Sequence, residues 1–358
     1  MRLVSLSMLK PDMILAKSIY YRDCLILREG QADLDRYANR LLQLGIDCVY
    51  VEDTKSNGIE IPDAISEETR VSCKRILRQT IEDFEKKTII DLTEVSETIL
   101  SIIDDILSME DLQVSLNDIG AADEYTFTHC VSTTVYSLLI AKQLGYSKPM
   151  MEKLAAGALF HDIGKILLDK SILNKEGNLT LDEVEHIKRH TTLGYEALKK
   201  CPSMTELSRI VSLYHHEKMD GSGYPTGAKA GELHEFIRIV SVADTYDALV
   251  SDRCYRTKWS ANQAVNYLIE NAGSKFDTHM VSVLIKQIAI YPNGSMVRLS
   301  DNSIGIIKEQ NKNFPLRPIV RVITDPGGNE INPFEIDMMK VLSITIIESE
   351  IEMSSDMY

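Results

Sequence analysis

The spacing of apolar residues changes character along the chain. Up to about residue 62 they come in short runs: Asp12–Ile19, Cys24–Leu27 and CVYV at Cys48–Val51 read as strands, and Asp33–Leu44 carries a helical pattern. This predicts a small N-terminal α+β module over residues 1–62. From Ser66 to about Asp111 the chain turns helical and acidic, with apolar positions at Ile76, Ile81, Ile89, Ile99, Ile103 and Ile106. These predict connecting helices over 63–112, with a surface on which two copies could form a homodimer. From Tyr125 to Tyr291 the pattern is almost purely helical. Its start signals are two capping boxes, Thr180 with Glu183 and Ser203 with Glu206, and Ser147 ahead of Pro149. A helical domain is therefore expected over 113–292. After Pro292 the period becomes two, in SMVRLS, IGIIKEQ, IVRVITD and VLSITII, with DPGG at Asp325–Gly328 as a turn. A β module of about four strands over 293–358 follows.

Composition narrows the function classes. The 358 residues have room for two or three domains, and 44% hydrophobic with 26% charged is ordinary for a globular protein. No window holds 18 uninterrupted apolar residues, and Lys10 and Pro11 interrupt the opening MRLVSLSMLKPDM before a secretory core could form. The expectation is a cytoplasmic protein without a membrane span. A net charge of −14 argues against a polymeric nucleic-acid partner, whose binding draws on many Lys and Arg contacts to phosphate. A small phosphate ester needs only local positive charge. The six cysteines are scattered without a CxxC, so reduced, mostly buried thiols are expected.

The chemistry concentrates in the helical region, which holds all eight histidines. His129 lies on the helix starting near Tyr125, and His161-Asp162 ends the next. His190 is expected on the helix capped by Thr180, His215-His216 closes a later one, and Asp244 falls inside the apolar stretch FIRIVSVADTYDAL. Singly, each has an ordinary explanation as a core histidine or a cap. Jointly, five imidazoles and two carboxylates on helices that can converge on one bundle core point to metals, because buried Asp162 and Asp244 would otherwise be uncompensated charges. Asp162 can bridge two cations about 3.5–4 Å apart, which activate a shared water for in-line attack on phosphorus. Imidazole and carboxylate without thiolate favour iron or manganese, with zinc also compatible. Lys165 is a point cation close to this pair. Directly after His216 comes EKMDGSGYPTG, whose glycines at 221, 223 and 227 allow close backbone approach to a ligand and whose Tyr224 can stack or hydrogen-bond.

These segments resemble the HD-GYP family of bacterial cyclic di-GMP phosphodiesterases, a branch of the HD-domain phosphohydrolases. HDIGK, HHEKMDGSGYP and VADTYDALVSDRCYR stand close to the family motifs in order and spacing over roughly residues 120–292. The resemblance implies a central all-α HD-type bundle flanked by the two small modules. It implies His129, His161, Asp162, His190, His215, His216 and Asp244 as metal ligands. One metal would take His129, His161, Asp162 and Asp244, and the other His190, His215 and His216, with Asp162 bridging. Some members carry a Glu four residues before the first His; here Tyr125 stands there, which favours two metals over three. By the same likeness Asp162 and Lys165 are catalytic, and Lys165, Gly223, Tyr224, Arg253 and Arg256 contact the nucleotide. His234 stands where many members have Pro, His186 is read as solvent-facing and His279 as structural or solvated.

The implied reaction is hydrolysis of cyclic di-GMP by a metal-bridging hydroxide to pGpG, and to GMP after a second cut. Two rival readings stay open: a receptor that binds cyclic di-GMP without cutting it, and an HD hydrolase acting on another cyclic dinucleotide such as cyclic GMP-AMP. The signal reaching the N-terminal module and the role of the C-terminal one are not legible in the sequence.

Overall fold

The computed structural model describes residues 1–21, 24–87, 92–109, 113–114, 116, 125–173, 175, 177–251, 259–312 and 314–349, with Lys87 and Tyr125 described in their backbone alone. Ile89, Arg253, Cys254 and Arg256 lie outside the described residues. The N-terminal module comprises β1 (Arg2–Ser5), β2 (Ile14–Leu15), β3 (Ile19–Tyr21), β4 (Cys24–Leu27), α1 (Ala38–Gln43) and β5 (Cys48–Glu52). Three strands pair antiparallel in the order β1-β5-β2, and β3 with β4 forms a hairpin. Val4, Leu15, Leu41, Val49 and Val51 fill its core. The Asp12–Ile19 run is thus two strands. The chain leaves the sheet after Leu15, Lys17 turns out to pair with Asp63 (2.5 Å), and Ile19 opens the hairpin. The helical pattern at Asp33–Leu44 resolves into a 3₁₀ turn, Leu34–Tyr37, followed by α1, which stops before Gly45 at φ 77°.

Two helices follow, α2 (Glu67–Lys87) and α3 (Thr93–Ser108). The sequence offered their apolar faces for dimerisation, but the chain uses them itself: Ile99, Ile103 and Ile106 are fully buried against the helical core, and Ile76 and Ile81 pack on its margin. Burying such side chains is worth roughly 1.5–3 kcal/mol each, which is why the stripe turns inward. Lys142 fastens this layer by donating to the Ile106 (2.9 Å) and Met109 (2.6 Å) carbonyls at the end of α3.

The bundle proper contains α4 (Tyr125–Gln143), α5 (Lys148–Leu159), the short α6 (Lys170–Leu173), α7 (Leu181–Lys188), α8 (His190–Leu198), α9 (Glu206–Tyr214), α10 (Glu235–Val250), α11 (Ala261–Glu270) and α12 (Thr278–Gln287). Every residue from His129 to Ala141 is buried, so α4 is the central helix, packed by α2, α3, α5, α10 and α12. Two of its hydroxyls bond within the helix, Thr134 to the Cys130 carbonyl and Ser137 to that of Thr133 (2.7 Å each). Ser147 occupies the N-cap of α5 with Pro149 in the first turn, and Thr180 and Glu183 form the expected capping box. Ser203 and Glu206 do not form the second box. Thr205 caps α9 instead, accepting from the Ser208 N–H (3.2 Å), one residue from the start of the helix, where the cap geometry requires it. His190 is not on the Thr180-capped helix either: α7 ends at Lys188 and His190 opens α8.

The C-terminal module is an antiparallel sheet of five strands, β6 (Met296–Leu299), β7 (Ile304–Glu309), β8 (Ile319–Thr324), β9 (Glu330–Asp337) and β10 (Ile346–Ser349), in the order β10-β6-β7-β8-β9. The strand missed from sequence, β9, is a largely exposed edge that tolerates Pro333 and shows no apolar alternation. Both faces of the middle strands are buried. Val297, Leu299, Ile307, Val320 and Val322 join the helical core, while Met296, Ile304, Ile306 and Ile323 pack with Ile59 and Met8. On that second side the Met1 amino group donates to the Ile59 carbonyl (2.6 Å), Arg2 pairs with Asp53 (2.7 Å) and Arg321 reaches the Asn57 carbonyl (2.5 Å). Among the described residues no helix is long and apolar enough to cross a membrane.

Candidate metal centre

The turn after α5 carries His161 and Asp162 and runs into a 3₁₀ turn, Ile163–Leu167. Gly164 in that turn lies so close to the start of α8 that an added Cβ would stand 1.9 Å from the His190 carbonyl oxygen and 2.6 Å from the Gly194 nitrogen. The missing side chain is what lets His190 approach the His161-Asp162 turn. From the other side Ser212 of α9 donates to the His161 carbonyl (2.9 Å), which brings the end of α9, and with it His215 and His216, alongside. α4 supplies His129 and α10 supplies Asp244.

All seven side chains meet in one place, in two groups. Asp162, His190, His215 and His216 form one and His129, His161 and Asp244 the other, with the ligand-type atoms in each group within 4.8 Å of one another. Asp162 faces both. Its Oδ1 lies 3.4 Å from His190 Nε2 and 3.7 Å from His215 Nε2, and its Oδ2 lies 3.4 Å from His161 Nε2 and 3.7 Å from His129 Nε2. Asp244 Oδ1 is 3.1 Å from His129 Nε2, and its Oδ2 is 3.8 Å from His216 Nδ1.

The far sides of four rings are tethered. Nδ1 of His161 bonds the Ala158 carbonyl (2.7 Å), that of His190 the Ile187 carbonyl (2.7 Å) and that of His215 the Ser212 carbonyl (3.0 Å). Nδ1 of His129 bonds the buried carboxylate of Asp247 (2.6 Å). A proton fixed on Nδ1 leaves the Nε2 lone pair facing the site. Asp162 Oδ1 and His161 Nε2 are buried without a hydrogen-bond partner, an arrangement interiors avoid unless something else satisfies those atoms. A divalent cation would satisfy both, so the residues fit a metal pair.

The electrostatics divide the same way. Burial pushes the Asp162 carboxyl up, but the charges of Lys165 and His161 outweigh it and hold it well below the usual range. Asp244 is likewise held well below, burial being overcome by the imidazoles of His129 and His161 beside it. Burial disfavours charged His161, yet Asp162 and Asp244 raise it to about 10; His129 is raised against burial by Asp244 and Asp247. In the other group burial dominates: His190 falls to about 4, and His215 and His216 are lowered too. That trio is neutral at ordinary pH and ready to donate lone pairs, whereas metal at the first group must displace protons.

Lys165 forms an ion pair with Asp162 Oδ2. An added Cβ on Gly223 would stand 2.4 Å from the Glu217 Cα and 2.5 Å from the His216 carbonyl oxygen, so the missing side chain lets the loop close on the residues after α9. The Tyr224 ring lies over His216, centroids 4.8 Å apart and planes tilted by 32°. Arg253 and Arg256 lie outside the described residues, as does the Tyr125 side chain. His234 caps α10, accepting from the Phe236 N–H (3.1 Å). His186 accepts from the Asp169 N–H (3.4 Å), away from the centre, and His279 is exposed. Two buried acids escaped the sequence reading. Asp247 was legible in principle as a second carboxylate one turn after Asp244 in an apolar helix. Glu217 Oε1 accepts from the Thr226 N–H (2.7 Å), the Thr226 hydroxyl (2.9 Å) and the Gly227 N–H (3.0 Å), holding the glycine-rich loop against the end of α9.

A family profile described as "HD domain" matches residues 102–280, and one described as "KOW domain associated with HD domain" matches residues 296–354. The chain is 30% identical over 325 residues to the cyclic di-GMP phosphodiesterase PA4108 of Pseudomonas aeruginosa, covering 83% of this chain and 77% of that protein. It is 40% identical over 149 residues to the cyclic di-GMP phosphodiesterase response regulator RpfG of Xanthomonas campestris, covering 41% of this chain and 39% of that protein. With the 3'3'-cGAMP-specific phosphodiesterase 3 of Vibrio cholerae it shares 34% identity over 175 residues, covering 49% of this chain and 38% of the other. With its two-group centre and this likeness over most of its length, the chain belongs to the HD domain family, on the HD-GYP branch that its motifs resemble.

Proposed function

We propose that the chain is a metal-dependent phosphodiesterase that opens cyclic di-GMP at a 3′–5′ phosphodiester, giving pGpG and, after a second cut, GMP. The observation that carries this reading is Asp162, a buried carboxylate with one oxygen toward each of two ligand groups. His190, His215 and His216 would hold one metal, His129, His161 and Asp244 the other, and Asp162 both. Such a pair, when bound, supplies an activated water and offsets charge on the phosphate. Iron or manganese suits the donor set best.

The chain's own contribution is positioning. Asp247 and the three carbonyls fix the imidazole tautomers, and Lys165, already beside Asp162, is placed to bind a non-bridging phosphate oxygen as charge develops there. Arg253 and Arg256 are the candidate contacts for the remaining phosphate and the guanines. Tyr125, in place of a Glu, favours two metals over three. A complete ligand set speaks for turnover rather than for a receptor that only binds. The likeness to a protein named for 3'3'-cGAMP keeps that substrate as the second reading. Turnover of a panel of cyclic dinucleotides by the Mn(II)-loaded chain tests both. The proposal expects cyclic di-GMP to be cut fastest and Asp162→Ala to be inactive. Binding without hydrolysis, or a faster cyclic GMP-AMP reaction, would overturn it.

A further inference from the structure

The five imidazoles are not held alike. Four have Nδ1 fixed by a hydrogen bond to a carbonyl or to Asp247, whereas His216 has no such tether among the described residues, its Nδ1 being 3.8 Å from Asp244 Oδ2. It is also the most exposed of the five, with 24% of its side chain open to solvent. A ring free to rotate is a poor ligand, since ordering it costs conformational entropy on binding. Its restraint here comes from other rings. His215 lies 4.1 Å away on one side and Tyr224 4.8 Å away and inclined by 32°, close to an offset stack.

Tyr224 is itself held. Its N–H bonds the His216 carbonyl (3.4 Å), Gly223 before it packs on the Glu217 Cα, and Glu217 Oε1 grips Thr226 and Gly227 after it. The Lys188 ammonium lies 5.4 Å from its ring centroid. The phenol oxygen makes no hydrogen bond among the described residues, so the packing uses the ring and not the hydroxyl.

The geometry points to Tyr224 as a positioning residue for His216, a stacked wall that replaces the hydrogen-bond tether of the other four imidazoles, and not as a hydrogen-bonding contact to the nucleotide. This rests on the two-metal reading above, and it makes the glycine-rich loop the carrier of that wall. Because only the aromatic face matters, Phe can take its place and Leu cannot.

The test is Mn(II) alone, by equilibrium dialysis against the full chain. The wild type and Tyr224→Phe should bind two ions with the same affinities. Tyr224→Leu should keep the site built on His129 and His161 unchanged while the His216 site weakens at least about tenfold, the usual cost of removing a partner behind a metal ligand. The retained site shows that the variant is folded. Unchanged binding in Tyr224→Leu, or Tyr224→Phe binding as weakly as Tyr224→Leu, overturns the inference. So does a Tyr224→Phe variant with full metal content but a raised KM, which would mean that the hydroxyl meets the substrate. A second measurement needs no variant: proton NMR of the metal-free wild type should show contacts between the Tyr224 and His216 rings, and their absence overturns the inference as well. Should the wild type bind fewer than two ions while those contacts are present, the two-metal reading fails and the ring contact stands.

Discussion

Asp247→Ala isolates one link between the helical framework and the centre. The wild-type Asp247 carboxylate accepts a hydrogen bond from His129 Nδ1 at 2.6 Å with both side chains buried. A hydrogen bond to a charged group contributes about 1.5–3 kcal/mol, and alanine also leaves a buried N–H without a partner. Part of that loss falls on metal binding, because the imidazole can turn or carry its proton on Nε2; an affinity loss of about 10–100-fold is expected, or roughly 1.4–2.7 kcal/mol. A competing effect follows from the same contact. Asp247 and Asp244 raise the His129 pKa against burial, so in the metal-free wild type they also stabilise the proton that a cation must displace. The loss should therefore be largest at alkaline pH and shrink as pH falls. Mn(II) titrations of both proteins across pH, followed by calorimetry, measure this directly. Equal affinities at alkaline pH would refute the argument, and so would a gap that widens on acidification.

Other consequences can be measured in parallel. Asp162→Ala removes the carboxylate assigned as the bridge and should abolish turnover and lower affinity at both sites, read by activity and dialysis; retention of most of the rate would defeat the bridging assignment. Gly164→Ala must push the His161-Asp162 turn away from His190 and should cost about 1–3 kcal/mol in chemical denaturation, the range for overpacking. Asp53 is a depressed carboxyl: burial raises it, but hydrogen bonding to Arg2 and the Arg2 charge lower it further. With the folded value below the unfolded one of about 3.9, the pair's contribution is fully present above that pH and is lost as pH falls through the folded value. Arg2→Ala should cost about 1.5–3 kcal/mol at neutral pH by taking the charged partner from Asp53 Oδ2 while Oδ1 keeps its Lys55 and Ser56 donors, with a smaller difference in acid, seen in thermal melts against pH.

The ligand set was legible because histidines are few and chemically conspicuous, and because an apolar helix gives a buried carboxylate such as Asp244 little other reason to be there. The β-module was legible from its period of two, except for β9, whose edge position asks for no apolar alternation. What escaped depended on contacts between segments. S-x-x-E at Ser203 is as good a cap signal as T-x-x-S at Thr205, and only the packing of α9 decides between them. The break before His190 follows from the close approach of Gly164, which no local pattern encodes. The apolar stripe on α3 looked the same whether its partner was another copy or the chain's own core. That Gly223 makes room for Glu217 is likewise a contact no local pattern shows.

The sheet of the C-terminal module has no spare face: one side continues the helical core and the other seats the N-terminal module through Met296, Ile304, Ile306 and Ile323. A chain cut at Pro292 would bare two greasy surfaces at once, one on the bundle and one under Ile59, so the catalytic helices are not a detachable unit. The first fifty residues and the bundle thus lean on opposite faces of one five-stranded slab.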